Sequence, residues 1–188
     1  DLWGSAFVFP QASHTGHILV RAMPEQPLQN FSLCLRSFTD LTRPHSLFSY
    51  ATKRHSIDIL LSKTKPYQYQ FSVGGKSLLY TVPQSLGESE HVCASWESIT
   101  GIVGFWFNGK PWLRKGLQKG YMVDNNASIV LGQEQGGFVG EMSSVYMWDM
   151  GITTSGVALA MDNLPQETPI FGWRNFPYKI VGEVYLKP

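Results

Sequence analysis

Four positions carry oxygen atoms that could bind a hard cation. Glu134 and Gln135 are adjacent, and Ser56 and Asp58 lie close together in an earlier segment. Carboxylate, amide and hydroxyl oxygens are the donors that Ca²⁺ prefers, and the ion takes about six to eight of them. Calcium is therefore a candidate cofactor, provided that folding brings these two distant segments together.

A pair of acids could also serve a hydrolase. Many glycosidases use two carboxyl groups that flank the scissile bond, and the candidates here are Glu134 and Glu141. Their odd spacing places them on opposite faces of any continuous strand, and the intervening Gly136 and Gly137 indicate a turn. A glycoside hydrolase built on a β-sandwich is therefore only the third alternative.

Other kinds of catalysis find no support in the residue pattern. The five histidines show no His-x-x-x-His spacing and no neighbouring pair of cysteines, so a zinc site is not predicted. No Gly-x-Ser-x-Gly segment is present to carry a serine nucleophile. We predict no catalytic residue and a protein that is not an enzyme.

Two cysteines and two glycosylation triplets indicate an extracellular protein. Cys34 and Cys93 are too few for a metal site of their own, but an oxidising compartment would let them form one disulfide across a loop of about 60 residues. Acceptor triplets begin at Asn30 and Asn126. No stretch reaches the roughly 20 apolar residues of a membrane helix. We predict a secreted glycoprotein that does not insert into a membrane.

Turn signals place the candidate residues on short antiparallel strands. Gly74-Gly75 lies between two apolar runs, and Asn108-Gly109 lies between two others. Both dipeptides favour β-hairpins, because glycine and asparagine tolerate the positive φ that a two-residue turn requires. Pro111 is expected at an edge or a bulge, since it cannot donate a hydrogen bond to a ladder.

Many further short strands and one helix complete the pattern. A helix is predicted over Ser155–Met161, after a capping cluster that includes Thr153. Many strands with short connections indicate an all-β sandwich or barrel, and the absence of a linker or repeat predicts one domain over residues 1–188. The other predicted strands are Phe31–Phe38, Leu47–Tyr50, Ile57–Leu61, His91–Trp96, Ile129–Leu131, Val145–Trp148 and Ile180–Leu186.

The composition excludes a basic nucleic-acid-binding protein. Charged residues make up 15% of the chain, below the roughly 25% of typical soluble domains, and the net charge is +1. Lys110, Arg114, Lys115 and Lys119 form the densest basic group, which we interpret as a solvated hairpin edge. No nucleic-acid partner is predicted. The aromatic fraction of 13% favours β structure and some apolar surface for a partner.

Motifs along almost the whole chain resemble those of the short pentraxin family. His91-Val92-Cys93-Ala94-Ser95-Trp96-Glu97-Ser98 resembles the family signature His-x-Cys-x-Ser/Thr-Trp-x-Ser/Thr. We expect Trp96 to be a core residue with no ligand role. Further segments similar to the family, in the same order, are 6–10, 27–31, 47–53, 108–111, 129–135, 138–141 and 146–149.

The resemblance implies a fold, an assembly and a function. The expected protomer is a secreted, lectin-like jelly roll of two antiparallel sheets with one short helix, in which a Cys34–Cys93 disulfide links the two sheets. The implied function is pattern recognition in innate immunity by a cyclic homopentamer. One face would bind phosphocholine-type or carbohydrate ligands with calcium, and the opposite face, which carries the helix, would engage complement and Fc receptors.

The implied calcium site departs from the family pattern. Glu134 would bind through its side chain and Gln135 through its backbone oxygen. The family's early Asp-Asn pair matches Ser56 and Ile57, and isoleucine offers no side-chain oxygen. Asp58 and Ser56 remain as substitutes for that pair. We therefore predict a weakened calcium site, with a calcium-independent oligomeric scaffold for another protein as the alternative function.

The choline pocket departs from the family pattern as well. The positions that match the family's aromatic and acidic contacts to choline are Ser62 and Ser77. Serine supplies neither a hydrophobic wall nor a carboxylate for a quaternary ammonium group. A phosphocholine pocket of the family's kind is therefore not assembled from these residues.

The loop after Gln135 is shorter than the resemblance implies. The family continues there with an acidic, glycine-rich loop that supplies more calcium ligands, whereas here only Gly136 and Gly137 precede Phe138. Either the loop is deleted, or the protein contains it as a mobile segment that is not among these 188 residues. Acidic side chains repel one another without metal, which favours the second explanation.

Overall fold

Two antiparallel sheets pack face to face as a jelly-roll sandwich. The structure is a computed structural model that describes residues 1–85, 87–133 and 136–188. Across these residues the fold is almost entirely β, with one short α-helix, as predicted. The elements are β1 (Ala6–Phe9), β2 (His17–Val20), β3 (Asn30–Phe38), β4 (His45–Ala51), β5 (Ile59–Lys65), β6 (Gln68–Val73), β7 (Lys76–Thr81), β8 (Ser89–Glu97), β9 (Ile102–Phe107), β10 (Lys110–Pro111), β11 (Lys115–Gly116), β12 (Ser128–Leu131), β13 (Gly140–Trp148), α1 (Thr154–Met161), β14 (Tyr178–Val181) and β15 (Tyr185–Lys187).

The strands are divided between an eight-stranded and a seven-stranded sheet within the described ranges. The eight-stranded sheet has the order β10-β9-β8-β3-β13-β1-β15, with β11 also paired to β9. The seven-stranded sheet has the order β14-β2-β12-β4-β5-β6-β7. Both predicted hairpins are present: Gly74-Gly75 joins β6 to β7, and Asn108-Gly109, with φ of 49° and 83°, joins β9 to β10. Pro111 lies in the edge strand β10, where no ladder hydrogen bond from its nitrogen is needed.

Aromatic side chains from the two sheets meet in the core. Tyr80 of β7 stacks on Phe105 of β9 with ring centroids 4.3 Å apart, and Phe31 of β3 lies 6.0 Å from Phe71 of β6. Aromatic pairs contribute about 0.5–1.5 kcal/mol beyond the area that they bury. Trp96 is buried among them and donates its indole N–H to the Leu117 carbonyl at 2.9 Å, which confirms its core role.

The helix covers the outer side of the eight-stranded sheet. The Thr153 hydroxyl accepts a hydrogen bond from the Gly156 N–H at 3.1 Å, so α1 begins with a side-chain cap close to the predicted position. Its buried residues are Val157 and Ala160, and the helix packs on β3 and β13. Among the described residues, no helix is long and apolar enough to cross a membrane.

The prediction of one strand over Ile180–Leu186 is wrong. Gly182 has φ of +75°, and a Cβ there would lie 2.9 Å from the Gly16 Cα. The chain turns at this glycine and crosses from one sheet to the other. β14 therefore pairs with β2 in the seven-stranded sheet, whereas β15 pairs with β1 in the eight-stranded sheet.

The Cys34–Cys93 disulfide is present, but its expected placement between the sheets is wrong. β3 and β8 are neighbours in the eight-stranded sheet, and Cys34 lies directly opposite Cys93 in their register. Phe31, Leu33 and Leu35 of β3 share the face that packs on the other sheet, so Cys34 faces the helix side. The disulfide cross-links two adjacent strands of one sheet beneath α1.

Candidate functional site

Polar side chains gather on the outer face of β6 and β7. Tyr69 and Phe71 point into the core, so Gln70 and Ser72 point outward. Ser77 is opposite Ser72 in the register. The two serine hydroxyls are 2.7 Å apart, and the Gln70 side-chain amide donates to the Ser77 hydroxyl at 2.8 Å. We name Gln70, Ser72 and Ser77 the hydroxyl cluster.

Basic residues lie near the β6–β7 turn. The Arg54 guanidinium lies over the Tyr121 ring, 5.5 Å from its centroid. A Cβ at Gly75 would lie 3.8 Å from the His55 ring, so this histidine borders the hairpin turn. Lys76, exposed, follows directly. This end of the sheet therefore disfavours a positively charged ligand group.

The two positions implied for choline contacts offer only hydroxyl groups. Ser77 is exposed and belongs to the hydroxyl cluster. Ser62 is fully buried, and in the part of the chain that the structure describes its hydroxyl has no hydrogen-bond partner. A buried hydroxyl cannot form a wall against a ligand. The absence of a choline pocket at these positions stays a prediction.

Asp58 is used inside the protein. The side chain is 1% exposed, and its two carboxylate oxygens accept hydrogen bonds from the Tyr121 hydroxyl at 2.7 Å and the Thr52 hydroxyl at 2.9 Å. Its backbone carbonyl accepts the Gly74 N–H at 2.8 Å. Burial and the hydrogen bond to Asp58 raise the pKa of Tyr121. Asp58 therefore ties the 52–58 segment to the β6–β7 turn and the Tyr121 loop.

Two of the four candidate calcium ligands, Ser56 and Asp58, lie among the described residues. Ser56 is exposed, and the buried Asp58 carboxylate is already occupied by two hydroxyl donors. Within the described ranges, the group of three potential histidine, cysteine or acid ligands that lies close together is Cys34, His91 and Cys93, which contains no carboxylate. Glu134 and Gln135 lie outside the described residues, so their metal role stays a prediction.

The acid pair considered for hydrolysis is likewise untested. Glu141 is exposed near the start of β13, and its partner Glu134 lies outside the described residues.

Sequence reasoning did not identify a different, buried acid. Glu90 of β8 lies between the sheets and accepts hydrogen bonds from Lys63 Nζ at 2.9 Å and the Tyr69 hydroxyl at 2.5 Å.

The buried Lys63–Glu90 pair is closed to a substrate. Both side chains are at most 5% exposed, and the Ser85 hydroxyl donates to the second Glu90 oxygen. Burial and Glu90 raise the pKa of Tyr69 well above its usual range, which keeps that phenol neutral. The signal available in the sequence was a lysine two positions after Leu61, at an inward position of β5.

The two glycosylation candidates differ in their settings. Asn126 is exposed in the segment before β12, where its backbone N–H donates to the Asp124 carboxylate at 3.1 Å. Asn30 is the half-buried first residue of β3, and the Ser32 hydroxyl of its triplet donates to the Met150 carbonyl at 2.6 Å. Carbohydrate attachment at either position stays a prediction.

Comparisons with known proteins agree along the whole chain. A model of the Pentaxin family matches residues 5–188. Serum amyloid P-component of Rattus norvegicus is 42% identical over 198 aligned positions, which cover 100% of this chain and 87% of that protein. C-reactive protein of Homo sapiens is 41% identical over 200 positions, with coverage of 100% and 89%. The crystal structure of the native heptameric SAP-like pentraxin from Limulus polyphemus has a TM-score of 0.84 at 20% identity, with coverage of 100% and 96%, and shows the same fold.

The alignments also bear on the short loop. Both are longer than the 188 residues of this chain, so the relatives have residues that it lacks. The full sequence runs directly from Gln135 to Gly136. The Phe138 N–H then donates to the Gly132 carbonyl at 3.0 Å. The difference in length does not by itself place those residues after Gln135, so both explanations of the short loop stay predictions.

The match across residues 5–188 and the identity of about two in five residues to full-length relatives place this chain in the pentaxin family, and the prediction of a pattern-recognition pentraxin of innate immunity is confirmed.

Proposed function

We propose that this pentraxin recognises carbohydrate-type ligands through the hydroxyl cluster, without needing a complete calcium site. The observation that carries the proposal is the arrangement of Gln70, Ser72 and Ser77. One amide and two hydroxyl groups lie within 2.7–2.8 Å of their neighbours on an outward sheet face. Such groups both donate and accept hydrogen bonds, as the hydroxyl groups of a sugar require.

A phosphocholine-type ligand fits this face less well. Recognition of a quaternary ammonium uses an aromatic face or an acid, and the residues at the implied positions are Ser62 and Ser77. Arg54 and Lys76 add positive charge near the β6–β7 turn, although Lys76 is opposite the core residue Val73 and so points to the other face from Ser77. A neutral or acidic sugar has no cationic group to be repelled there, whereas the quaternary ammonium of phosphocholine would be repelled although its phosphate would not.

Calcium would depend here on Glu134 and Gln135. Members of the family bind calcium, but Asp58 is held by Tyr121 and Thr52 and is a poor substitute ligand. We expect weak calcium binding at most, and ligand binding that persists in a chelator. Calorimetric titration with calcium tests the first expectation directly.

Affinity chromatography tests the proposed ligand class. The protein is applied to galactan-based agarose beads and to polyacrylamide beads that carry phosphocholine, in calcium and in chelator. We expect retention on the carbohydrate matrix in both buffers, weaker retention for Ser77→Ala, and unchanged retention for Ser155→Ala on the opposite side of the molecule. Retention on the phosphocholine beads that the chelator abolishes would refute the proposal.

We further propose that residues 1–188 form a single domain that assembles as a secreted homopentamer. The two edges of the eight-stranded sheet expose different apolar residues: Leu113, 75% exposed, follows β10, and Tyr185, 51% exposed, lies on β15. Contact between two different surfaces of identical chains generates a ring when the rotation between neighbouring chains closes. The disulfide is consistent with an oxidising, extracellular compartment.

Light scattering tests the assembly. We expect a ring for the unmodified protein and for Leu164→Asp, which replaces an exposed leucine that follows α1. Leu113→Asp should release smaller species. A stable monomer of the unmodified protein would rule out the ring.

The alternative function is a calcium-independent scaffold for another protein. The helix side of the eight-stranded sheet would then be the docking face, and complement and Fc receptors are the partners that the resemblance implies. We propose no enzymatic activity, because the buried acid Glu90 is closed off by Lys63, Tyr69 and Ser85. Turnover of a glycoside that is lost on Glu134→Gln substitution would overturn that view.

A further inference from the structure

His91 lies beside the disulfide with both ring nitrogens unused. The side chain is 0% exposed, and neither Nδ1 nor Nε2 has a hydrogen-bond partner in the described part of the chain. A ring nitrogen of His91 and the sulfur atoms of Cys34 and Cys93 all lie within 4.8 Å of one another. A buried polar group without a partner costs free energy, so this arrangement requires an explanation.

Strand geometry accounts for the three residues coming together. His91 and Cys93 are two positions apart on β8 and therefore face the same side of the sheet. Cys34 is opposite Cys93 in the register, and Arg36 is opposite His91. The Asn108 side chain accepts the His91 backbone N–H at 2.8 Å, which anchors this part of β8. The three donor atoms are thus positioned by backbone pairing.

The donor set has the chemistry of a soft-metal site. Thiolate and imidazole ligands select Cu⁺ and Zn²⁺ over hard cations such as calcium. Metal bonds of about 2.3 Å to sulfur and about 2.0 Å to nitrogen suit donor atoms a few ångströms apart. In the disulfide the two sulfur atoms are bonded to each other, so the oxidised protein lacks the thiolates.

We propose that reduction of the Cys34–Cys93 disulfide converts Cys34, Cys93 and His91 into a binding site for a thiophilic d¹⁰ cation, Cu⁺ or Zn²⁺. A dithiol supplies two electrons and two protons to the sulfur–sulfur bond and becomes a cyclic disulfide, which leaves two cysteine thiols. Binding of the cation releases the two thiol protons and forms two metal–sulfur bonds and one metal–nitrogen bond.

Charge and donor number favour Cu⁺ over Zn²⁺. Two thiolates and Cu⁺ carry one negative charge, and the partly buried Arg36 guanidinium lies on the same face, bonded to the Met161 carbonyl and the Ser89 hydroxyl at 3.3 Å each. Three donors suit three-coordinate Cu⁺, whereas Zn²⁺ prefers four.

Metal titration of the reduced full chain tests the proposal. The protein is unfolded in urea with dithiothreitol, refolded without oxygen and freed of reductant, and near-ultraviolet circular dichroism reports its packing. Cu⁺ is titrated in competition with bathocuproine disulfonate, and Zn²⁺ against a colorimetric zinc chelator. We expect one ion per reduced chain, no binding by the oxidised chain, and tighter binding of Cu⁺.

Two variants separate a built site from loose thiols. His91→Leu keeps the buried volume but removes the nitrogen donor, and should weaken binding at least about tenfold. His45→Leu, at another buried histidine, should leave affinity unchanged. Binding insensitive to His91→Leu would overturn the proposal. So would a reduced chain that binds neither ion, or one that fails to regain its packing even with metal present.

Discussion

Mild acid should destabilise this protein through His45. The ring is buried on β4, its Nδ1 lies 2.9 Å from the Arg43 backbone oxygen, and among the described residues its Nε2 has no partner. Burial lowers the pKa of His45 from 6.5 to about 4; the bond to the Arg43 carbonyl opposes this shift, and the Lys63 cation adds to it. The folded protein therefore keeps His45 neutral where the unfolded chain protonates it.

The size of the effect follows from the two pKa values. The unfolded histidine takes up a proton as the pH falls below about 6.5, but the folded one does so only near 4. The stability contributed by neutral His45 is complete above pH 6.5 and is lost as the pH falls from 6.5 towards 4. At about pH 5, protonation favours the unfolded chain roughly thirtyfold, or about 2 kcal/mol.

Urea unfolding at about pH 7.5 and pH 5 measures this contribution. His45→Asn removes the titration while its amide can still donate to the Arg43 carbonyl, and His14→Asn changes an exposed histidine as the control. The loss of unfolding free energy between the two pH values should be about 2 kcal/mol smaller in His45→Asn than in the unmodified protein. The control should match the unmodified protein.

An equal loss in all three proteins would show that His45 is not the origin of the acid sensitivity. The comparison depends on the difference between two pH values, so it does not depend on how far the asparagine lowers stability at neutral pH. Other groups that titrate in this range contribute equally to each protein and cancel.

Three further substitutions test the buried contacts. Glu90→Gln leaves the Lys63 ammonium group buried without its charged partner. It should lower the free energy of unfolding, measured by urea titration, by about 3–5 kcal/mol. A loss below about 1 kcal/mol would mean that the pair is not desolvated. Asp58→Asn should lower the free energy of unfolding by about 1.5–3 kcal/mol and lower the pKa of Tyr121 in an ultraviolet titration. The heat of a calcium titration should not change. A diminished calcium heat would assign Asp58 to the metal. Gly182→Ala introduces a side chain at φ of +75° against the Gly16 backbone and should lower the melting temperature, so an unchanged melting temperature would argue against the crossing geometry.

Local chemistry explains which parts of the fold were predictable. Gly74-Gly75 and Asn108-Gly109 form the expected turns because their backbone preferences act over four residues. The short α1 follows from its capping threonine in the same way. Gly182 also has a positive φ, but whether a glycine ends a strand or permits a bulge depends on the residues against which it packs. The change of sheet there was therefore not predictable from the local pattern.

By itself, the sequence determined the family, the fold class and the departures at Ser56, Ile57, Ser62 and Ser77, because side-chain chemistry at matched positions needs no coordinates. Only the tertiary structure decided which side chains are buried and which contacts they make. It buried Ser62, engaged the Asp58 carboxylate with two hydroxyl groups, and set Cys34, Cys93 and His91 side by side within one sheet. The physical reason is that hydrogen-bond partners, burial and strand register arise from contacts between distant segments, which spacing along the chain does not specify.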